Sequence, residues 1–254
     1  MGLTKGKEAR SFAMQTELVK TSELAIAQKA EMYALLNRHF EGATQAVFET
    51  DLNLKNWVLL LKDEADQLKG FSTLLMYDVA FEGDVVTVVY SGDTIMDPSA
   101  WSSSALPAAW VAAVNRLRKQ YKGHKLYWLL ISSGFRTYRF LPTFWQQFYP
   151  RHDREIPARE ARLMTFLCCR QFGKWYDEST GIVRFPTPQK LRGHLEGIPA
   201  ERLRNPHVQF FAAHNPGYAK GDELVCLTEI NEDNLTRAGK RMWSANAALL
   251  LGER

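Results

Sequence analysis

The chain has no apolar run long enough to cross a bilayer. Runs such as Trp57 to Leu61 and Leu126 to Ile131 hold only five and six residues, where a spanning helix needs about 20. Cysteine is scarce. Cys168, Cys169 and Cys226 include a vicinal pair that cannot make an ordinary unstrained disulfide, and no Cys-x-x-Cys or Cys/His spacing suggests zinc. We expect no metal and a reduced, cytoplasmic setting. Met1 to Gln15 lack an apolar segment leading to a small-residue cleavage site, so no secretory leader is expected. A Gly-x-Ser-x-Gly elbow, a Walker phosphate loop and a Rossmann glycine fingerprint are also missing, which counts against hydrolase, kinase and dehydrogenase chemistry. What remains is an ordinary globular composition over 254 residues, 46% hydrophobic and 24% charged, ample for a large core.

Charge is uneven along the chain. The net value is +4, yet residues 41–100 hold eleven Asp/Glu against three Lys/Arg, and residues 116–174 hold thirteen Lys/Arg against three Asp/Glu. A basic stretch of that density either solvates a surface or meets an anionic partner such as a phosphate-bearing cofactor, an acidic carrier protein or nucleic acid.

Residues 1–15 read as a flexible tail, 16–232 as one domain, and 233–254 as a C-terminal helix. Apolar spacing from Glu17 to Phe40 predicts one long helix or two, with Thr21 or Ser22 as cap. Lys55–Lys62, Leu68–Phe81 and Val85–Ser91 read as three antiparallel strands with polar turns. Leu106, Ala109, Trp110, Ala113, Val114 and Leu117 predict a helix, with Pro107 tolerable in its first turn. Leu126–Ser132 is a buried strand, and Pro142–Phe148 a short aromatic helix. Residues 150–206 read as an insertion or lid, with a helix from Ala158 to Tyr176. Val208–His214 and Glu223–Ile230 then read as two closing strands, and Asp233–Leu251 as the last helix. The strand–helix–strand crossover makes the class mixed α/β, an α+β arrangement on a mixed sheet.

This element order resembles the GNAT family of N-acyltransferases over about residues 17–230, with an insertion before the last two strands. The phrases YALLNRHFEG, VVYSGDTIMDP and FRTYRFLPTFWQQFYP further resemble GNAT-like enzymes of bacterial biosynthetic clusters, including those that place fatty acyl groups on amines of peptides or amino acids. The resemblance implies that strand Val85–Ser91 splays from Leu126–Ser132 and that an acyl-CoA, or acyl-phosphopantetheine on an acyl carrier protein, lies in the cleft. The thioester and pantetheine would meet backbone N–H groups around Val89 and Ser91. Ser102, Ser103, Ser104 and Ala105 occupy the place of the family's phosphate site, where free N–H groups and a helix dipole hold an anion. The family's Gln/Arg-x-x-Gly-x-Gly/Ala loop is absent from this sequence.

Acyl transfer from a thioester to an amine needs a base, a donor for the carbonyl oxygen and an acid for the thiolate. His39, on the apolar face of the first helix, is a candidate base, against the alternative of a core or capping histidine. Asp93, just past a strand end, is a candidate to take the amine's proton or bind an ammonium, against an Asx-turn. The resemblance makes Tyr138 a candidate acid, and Arg136 and His214 are candidate acceptor-binding residues. Two alternatives stand beside this reading: nucleic-acid binding by the basic 116–174 stretch with its interleaved aromatics, and a GNAT-shaped scaffold without activity.

Overall fold

A computed structural model of the protein describes residues 14–100, 104–122, 125–193, 197–244 and 249–251. In chain order the elements are β1 (Gln15–Lys20), α1 (Ile26–His39), β2 (Phe40–Glu41), α2 (Gln45–Asn53), β3 (Trp57–Lys62), β4 (Leu68–Phe81), β5 (Asp84–Met96), α3 (Ala105–Leu117), β6 (Lys125–Ser132), α4 (Phe135–Tyr138) and α5 (Phe140–Phe144). They continue with α6 (Ala158–Phe172), β7 (Tyr176–Asp177), β8 (Ile182–Val183), β9 (Lys190–Leu191), α7 (Pro206–His214), β10 (Glu223–Glu229), α8 (Arg237–Ser244) and β11 (Leu249–Leu251). Among the described residues a nine-stranded mixed sheet runs β11-β1-β3-β4-β5-β6-β10-β8-β7, and β2 pairs separately with β9. The class is mixed α/β, and the antiparallel β3-β4-β5 meander crosses through α3 into the parallel strand β6.

The meander is locally encoded. β4 and β5 are joined by Glu82 and Gly83, both at positive φ (+50° and +87°), the two-residue turn whose twist matches that of the flanking strands. α3 follows from its apolar stripe: Ala109, Trp110, Ala113, Val114 and Leu117 are buried against Leu59, Leu74, Val89, Trp128 and Leu130 of the sheet. The rings of Trp110 and Trp128 lie 4.4 Å apart and those of Trp128 and Trp145 5.1 Å, within the range where aromatic pairs attract beyond their area burial.

Four sequence expectations change in the structure. The helix expected from Glu17 starts only at Ile26, because residues 15–20 pair antiparallel with β3 and the Thr21 hydroxyl, read as a cap, donates instead to the carbonyl of Lys55 (2.6 Å). Val208–His214 is a helix and not a strand. Asn205 accepts from the N–H groups of His207 and Val208 (3.0 and 3.3 Å) and Pro206 opens the first turn, a capped start that outweighs the apolar composition. The short aromatic helix begins earlier, as α4 and α5. The expected helix 233–251 is helical only over 237–244. The Asn234 side chain donates to the carbonyls of Gln147 and Glu229 and holds the chain non-helical there, the Thr236 hydroxyl caps Gly239 N–H, and 249–251 pair parallel with β1. Most of the proposed tail, residues 1–13, lies outside the described residues.

The 150–206 segment contributes to the body of the molecule. α6 packs Leu163, Leu167 and Phe172 beneath Val88, Tyr90, Leu129 and Val225, while β7 and β8 extend the sheet beyond β10. The opposite charges of the chain meet in space. Arg159 pairs with Asp84 (3.1 Å) and Arg162 with Glu82 (2.6 Å), so part of the basic stretch is neutralised by the acidic one. No described helix is long and apolar enough to cross a membrane.

Candidate active site

The parallel pairing of β5 with β6 runs from Val86↔Lys125 to Ser91↔Leu130 and stops. Beyond that point β5 stays with β4 (Ser72↔Thr94, Phe71↔Ile95, Gly70↔Met96) and β6 stays with β10 (Val225↔Ile131, Leu224↔Ser132). The sheet therefore opens between them, and the facing backbone edges of 92–96 and 131–132 have no ladder across the gap.

At the opening the register of β4 against β5 shifts between Ser72 and Leu74, placing Gly92 and Asp93 opposite Thr73 alone. This bulge changes which way β5 faces. Val89 belongs to the core under α3, and Ser91 accepts from Trp128 Nε1 (2.9 Å). After the bulge Ile95 packs with α1 and α2 on the other face, and Asp93, two residues before it, shares that face with Tyr90. A straight strand would have put Asp93 with Val89 and Ser91.

Asp93 is there joined by residues distant in sequence. Lys55, whose side chain is only 1% exposed, donates from Nζ to Asp51 Oδ2 (2.7 Å) and to the Asp51 carbonyl (3.3 Å). Its ammonium also lies 5.3 Å from the centre of the Tyr90 ring. A side chain at Gly92 would put a Cβ 2.5 Å from Lys55 Cε and 2.6 Å from Thr73 Oγ1, so glycine is required for lysine and threonine to close over β5. The Thr73 hydroxyl is fully buried and has no hydrogen-bond partner.

Across the opening stands Glu223, the first residue of β10. Burial pushes the Asp93 carboxyl up to about 7, reinforced by Asp51 and opposed by Lys55 and by a hydrogen bond from the Gln189 side chain. Burial likewise pushes Glu223 up to about 8, reinforced by Asp93 and opposed by a hydrogen bond from Ser133 N–H. The cause common to both is withdrawal from water, which disfavours the ionised form; at Glu223 the charge of Asp93 adds to it. Both side chains keep a partly accessible edge. Tyr90 is raised well above its ordinary value, again chiefly by burial.

The other residues singled out in the sequence disperse. His39 ends α1 with its Nε2 3.7 Å from Asp97 Oδ2, and Arg38 Nη1 lies 3.3 Å from the same oxygen. Asp97 stays below its ordinary value although burial raises it, because Ser99 donates twice to it and His39 and Arg38 add positive charge. Tyr138 is buried among Phe148, Phe210 and Phe211, and its hydroxyl donates to the carbonyl of Pro150 (2.9 Å), which makes it a core residue and removes it as the acid. His214 is exposed at the end of α7, stacked on Phe210 with ring centres 3.7 Å apart. The Arg136 guanidinium lies 4.8 Å from the Phe135 ring, with burial and then Arg202 lowering its pKa. Val89 and Ser91 are still paired with β6, opposite Trp128 and Leu130, so the edge without a ladder begins one residue later, at Gly92. Ser102 and Ser103 lie outside the described residues. Ser104 stands at the N-cap position of α3 without a side-chain capping bond, and Ala105 is the first helical residue. Among the described residues no group of three or more His, Cys, Asp or Glu side chains is placed to hold a metal ion.

Sequence reasoning found Asp93 and missed Lys55, Thr73, Gln189 and Glu223. The one local signal was the spacing of Asp51 and Lys55, four residues apart where a helix runs out.

No protein-family model matches the chain, and no curated protein matches it. Solved structures with similarity include the GNAT family N-acetyltransferase YhbS from Escherichia coli in complex with CoA, at 20% identity over 52% of this chain and 69% of that one, with a TM-score of 0.37. Another is a probable N-acyltransferase from Enterococcus faecalis, at 12% identity over 87% of this chain and 67% of that one, with a TM-score of 0.40. Escherichia coli ElaA is similar at 13% identity over 57% and 95%, with a TM-score of 0.36. At these scores the functional reading rests on the chain's own residues.

Proposed function

We propose that this protein is an acyltransferase that moves an acyl group from a thioester to an amine at the opening between β5 and β6. The observation that carries this reading is the coincidence of an unpaired pair of strand edges with two carboxyls raised by burial, Asp93 and Glu223, at the same point. An extended pantetheine arm carries amide groups at strand-like intervals and can add to such an edge by backbone hydrogen bonds. Coenzyme A and a carrier-bound phosphopantetheine share that arm, and a long acyl chain is one of the acyl groups to be tested.

The amine enters as an ammonium and gives a proton to the ionised Asp93–Glu223 pair, a transfer favoured because desolvation also lowers the ammonium's pKa. The nitrogen lone pair then adds to the thioester carbonyl carbon. Backbone N–H groups on the unpaired edge beginning at Gly92 stabilise the oxyanion. Collapse breaks the C–S bond, forms the amide and sends a thiolate out, which takes up the second proton of the nitrogen. His39, beside Asp97 past the end of β5, is retained as a second candidate for proton transfer. Acceptor contacts from Arg136 and His214 remain part of the proposal only for an acceptor large enough to reach α4 and α7.

The test is thiol release and product mass from the purified full chain with acetyl-CoA, octanoyl-CoA or an acylated carrier protein and a panel of primary amines. We expect an amide product that depends on Asp93. Absence of product with every donor would overturn the reading and leave the inactive scaffold.

A further inference from the structure

The chain absorbs only part of its basic stretch. Arg159 and Arg162 meet the β4–β5 turn, and Arg151 pairs with Asp153. Arg139 and Arg154, and with them Arg202 and Arg204, make no ion pair and no side-chain hydrogen bond among the described residues. Three segments bring these arginines to one block. Tyr138 of α4 packs against Phe148 (6.1 Å between ring centres) and against Phe210 and Phe211 of α7 (6.3 and 5.5 Å), and its hydroxyl bonds the Pro150 carbonyl. The rings of His152 and His207 lie 4.4 Å apart, and the tight turn Arg202–Arg204 leads through Asn205 into the first turn of α7. Residues 134–139, 150–154 and 201–207 together carry six arginines against two carboxylates, Asp153 and Glu201. Leu203, between two of the arginines, is 38% exposed.

The block is attached to the opening at its β6 lip. α4 follows β6 after two residues, and Asn215, where α7 ends, donates from Nδ2 to the Ser132 carbonyl (3.3 Å). The arginine turn lies at the other end of α7, a helix of nine residues and so about 13 Å long, a distance that an extended phosphopantetheine arm spans.

We propose that this arginine face docks an acidic carrier protein, which delivers its thioester to the opening on a phosphopantetheine arm. The inference rests on the proposed acyl transfer for what the partner brings. A planar, weakly hydrated guanidinium bonds a carboxylate through two parallel N–H groups, so arginines around an exposed leucine match a surface of carboxylates around an apolar socket. Nucleic acid would be met by exposed rings on which bases stack. Of the aromatics interleaved with the basic residues, Tyr127, Phe135, Tyr138 and Trp145 are buried, and the apolar side chain offered among the arginines is Leu203.

The test is fluorescence anisotropy of the full chain with a labelled octanoyl carrier protein, at low and at raised salt, and with a labelled DNA duplex as second probe. The carrier is expected to bind and to lose affinity as salt rises. Reversing both charges of the turn, Arg202→Glu with Arg204→Glu, should weaken the complex about tenfold or more. Arg139→Glu, on a different segment, should weaken it several-fold and decides the matter if the double variant folds poorly. Absence of carrier binding, or binding unaltered in the folded variants, would overturn the proposal. So would a duplex held more tightly than the carrier and lost with the same arginines, which would assign the face to nucleic acid. Transfer from octanoyl-CoA that depends on Asp93, without carrier binding, defeats this inference alone. A carrier held by these arginines without transfer from any donor defeats the acyltransferase reading and leaves the docking face.

Discussion

On one face of the sheet Leu59, Leu74, Val89, Trp128 and Leu130 form a single apolar layer with α3. On the other face the apolar residues fall into two groups, one around α1 and α2 and one around α6. On β5 the boundary is visible within a few residues: Tyr90 belongs to the α6 group, Ile95 to the α1 group, and Asp93 stands between them with Lys55 and Glu223. The first face is organised for stability. The second gives up continuous burial at the point where the strands part, and the groups it encloses there are those whose protonation the withdrawal from water has shifted. A charged site can be held in a fold of this size because the opposite face supplies an uninterrupted core.

The sharpest way to break this comparison is to neutralise the chamber. Asp93→Asn should lower turnover by about 10²–10⁴-fold, the usual contribution of a positioned base, while circular dichroism and thermal melting show the fold retained or stabilised. The converse substitution on the other face, Trp110→Ala, should cost about 3–5 kcal/mol in denaturant unfolding, with activity following only the folded fraction. Lys55→Met should be intermediate. Removing the ammonium leaves Asp51 partly open to solvent, so the stability loss is about 1–3 kcal/mol, but Asp93 loses its cation and the midpoint of the pH–rate profile should move upward.

Wild-type pH dependence should divide in the same way. The folded-state pKa of Asp93, about 7, lies above its unfolded value, so the protonated form favours folding. That advantage is fully present below the unfolded pKa and is lost as pH rises through about 7. Stability of the wild type relative to Asp93→Asn should therefore fall across the window in which turnover rises; parallel curves for the two proteins would remove Asp93 as the titrating group. The smallest effect is expected from Arg162→Ala, which breaks an exposed pair with Glu82 and should change neither melting temperature nor turnover measurably.

The parts legible in the sequence were those that local pattern governs. The meander, α3 and β6 each carried their own periodicity, and the Glu82–Gly83 turn its own chemistry. Asp93 was legible because it sits beyond an apolar strand. Tyr138 misled because an aromatic near a short helix looks the same in sequence whether it faces a cleft, as a catalytic group would, or packs into the core. Val208–His214 misled because a largely apolar run without clear alternation fits a buried strand as well as a helix, and its Asn-Pro start was the better signal. The split charge pattern left a solvated surface and an anionic partner open, and Arg159 and Arg162 find anions within the chain, on the β4–β5 turn.

The sequence by itself determined the mixed α/β class, the strand–helix–strand crossover and the presence of a carboxyl at the end of β5, because periodicity, turn residues and apolar spacing act over a few neighbours. Only the tertiary structure decided which way that carboxyl points and what surrounds it. The bulge opposite Thr73 turns Asp93 to the divided face. Lys55, Gln189 and Glu223 reach it from three distant segments, and its raised pKa arises from burial and from charges that approach one another only after the sheet has closed.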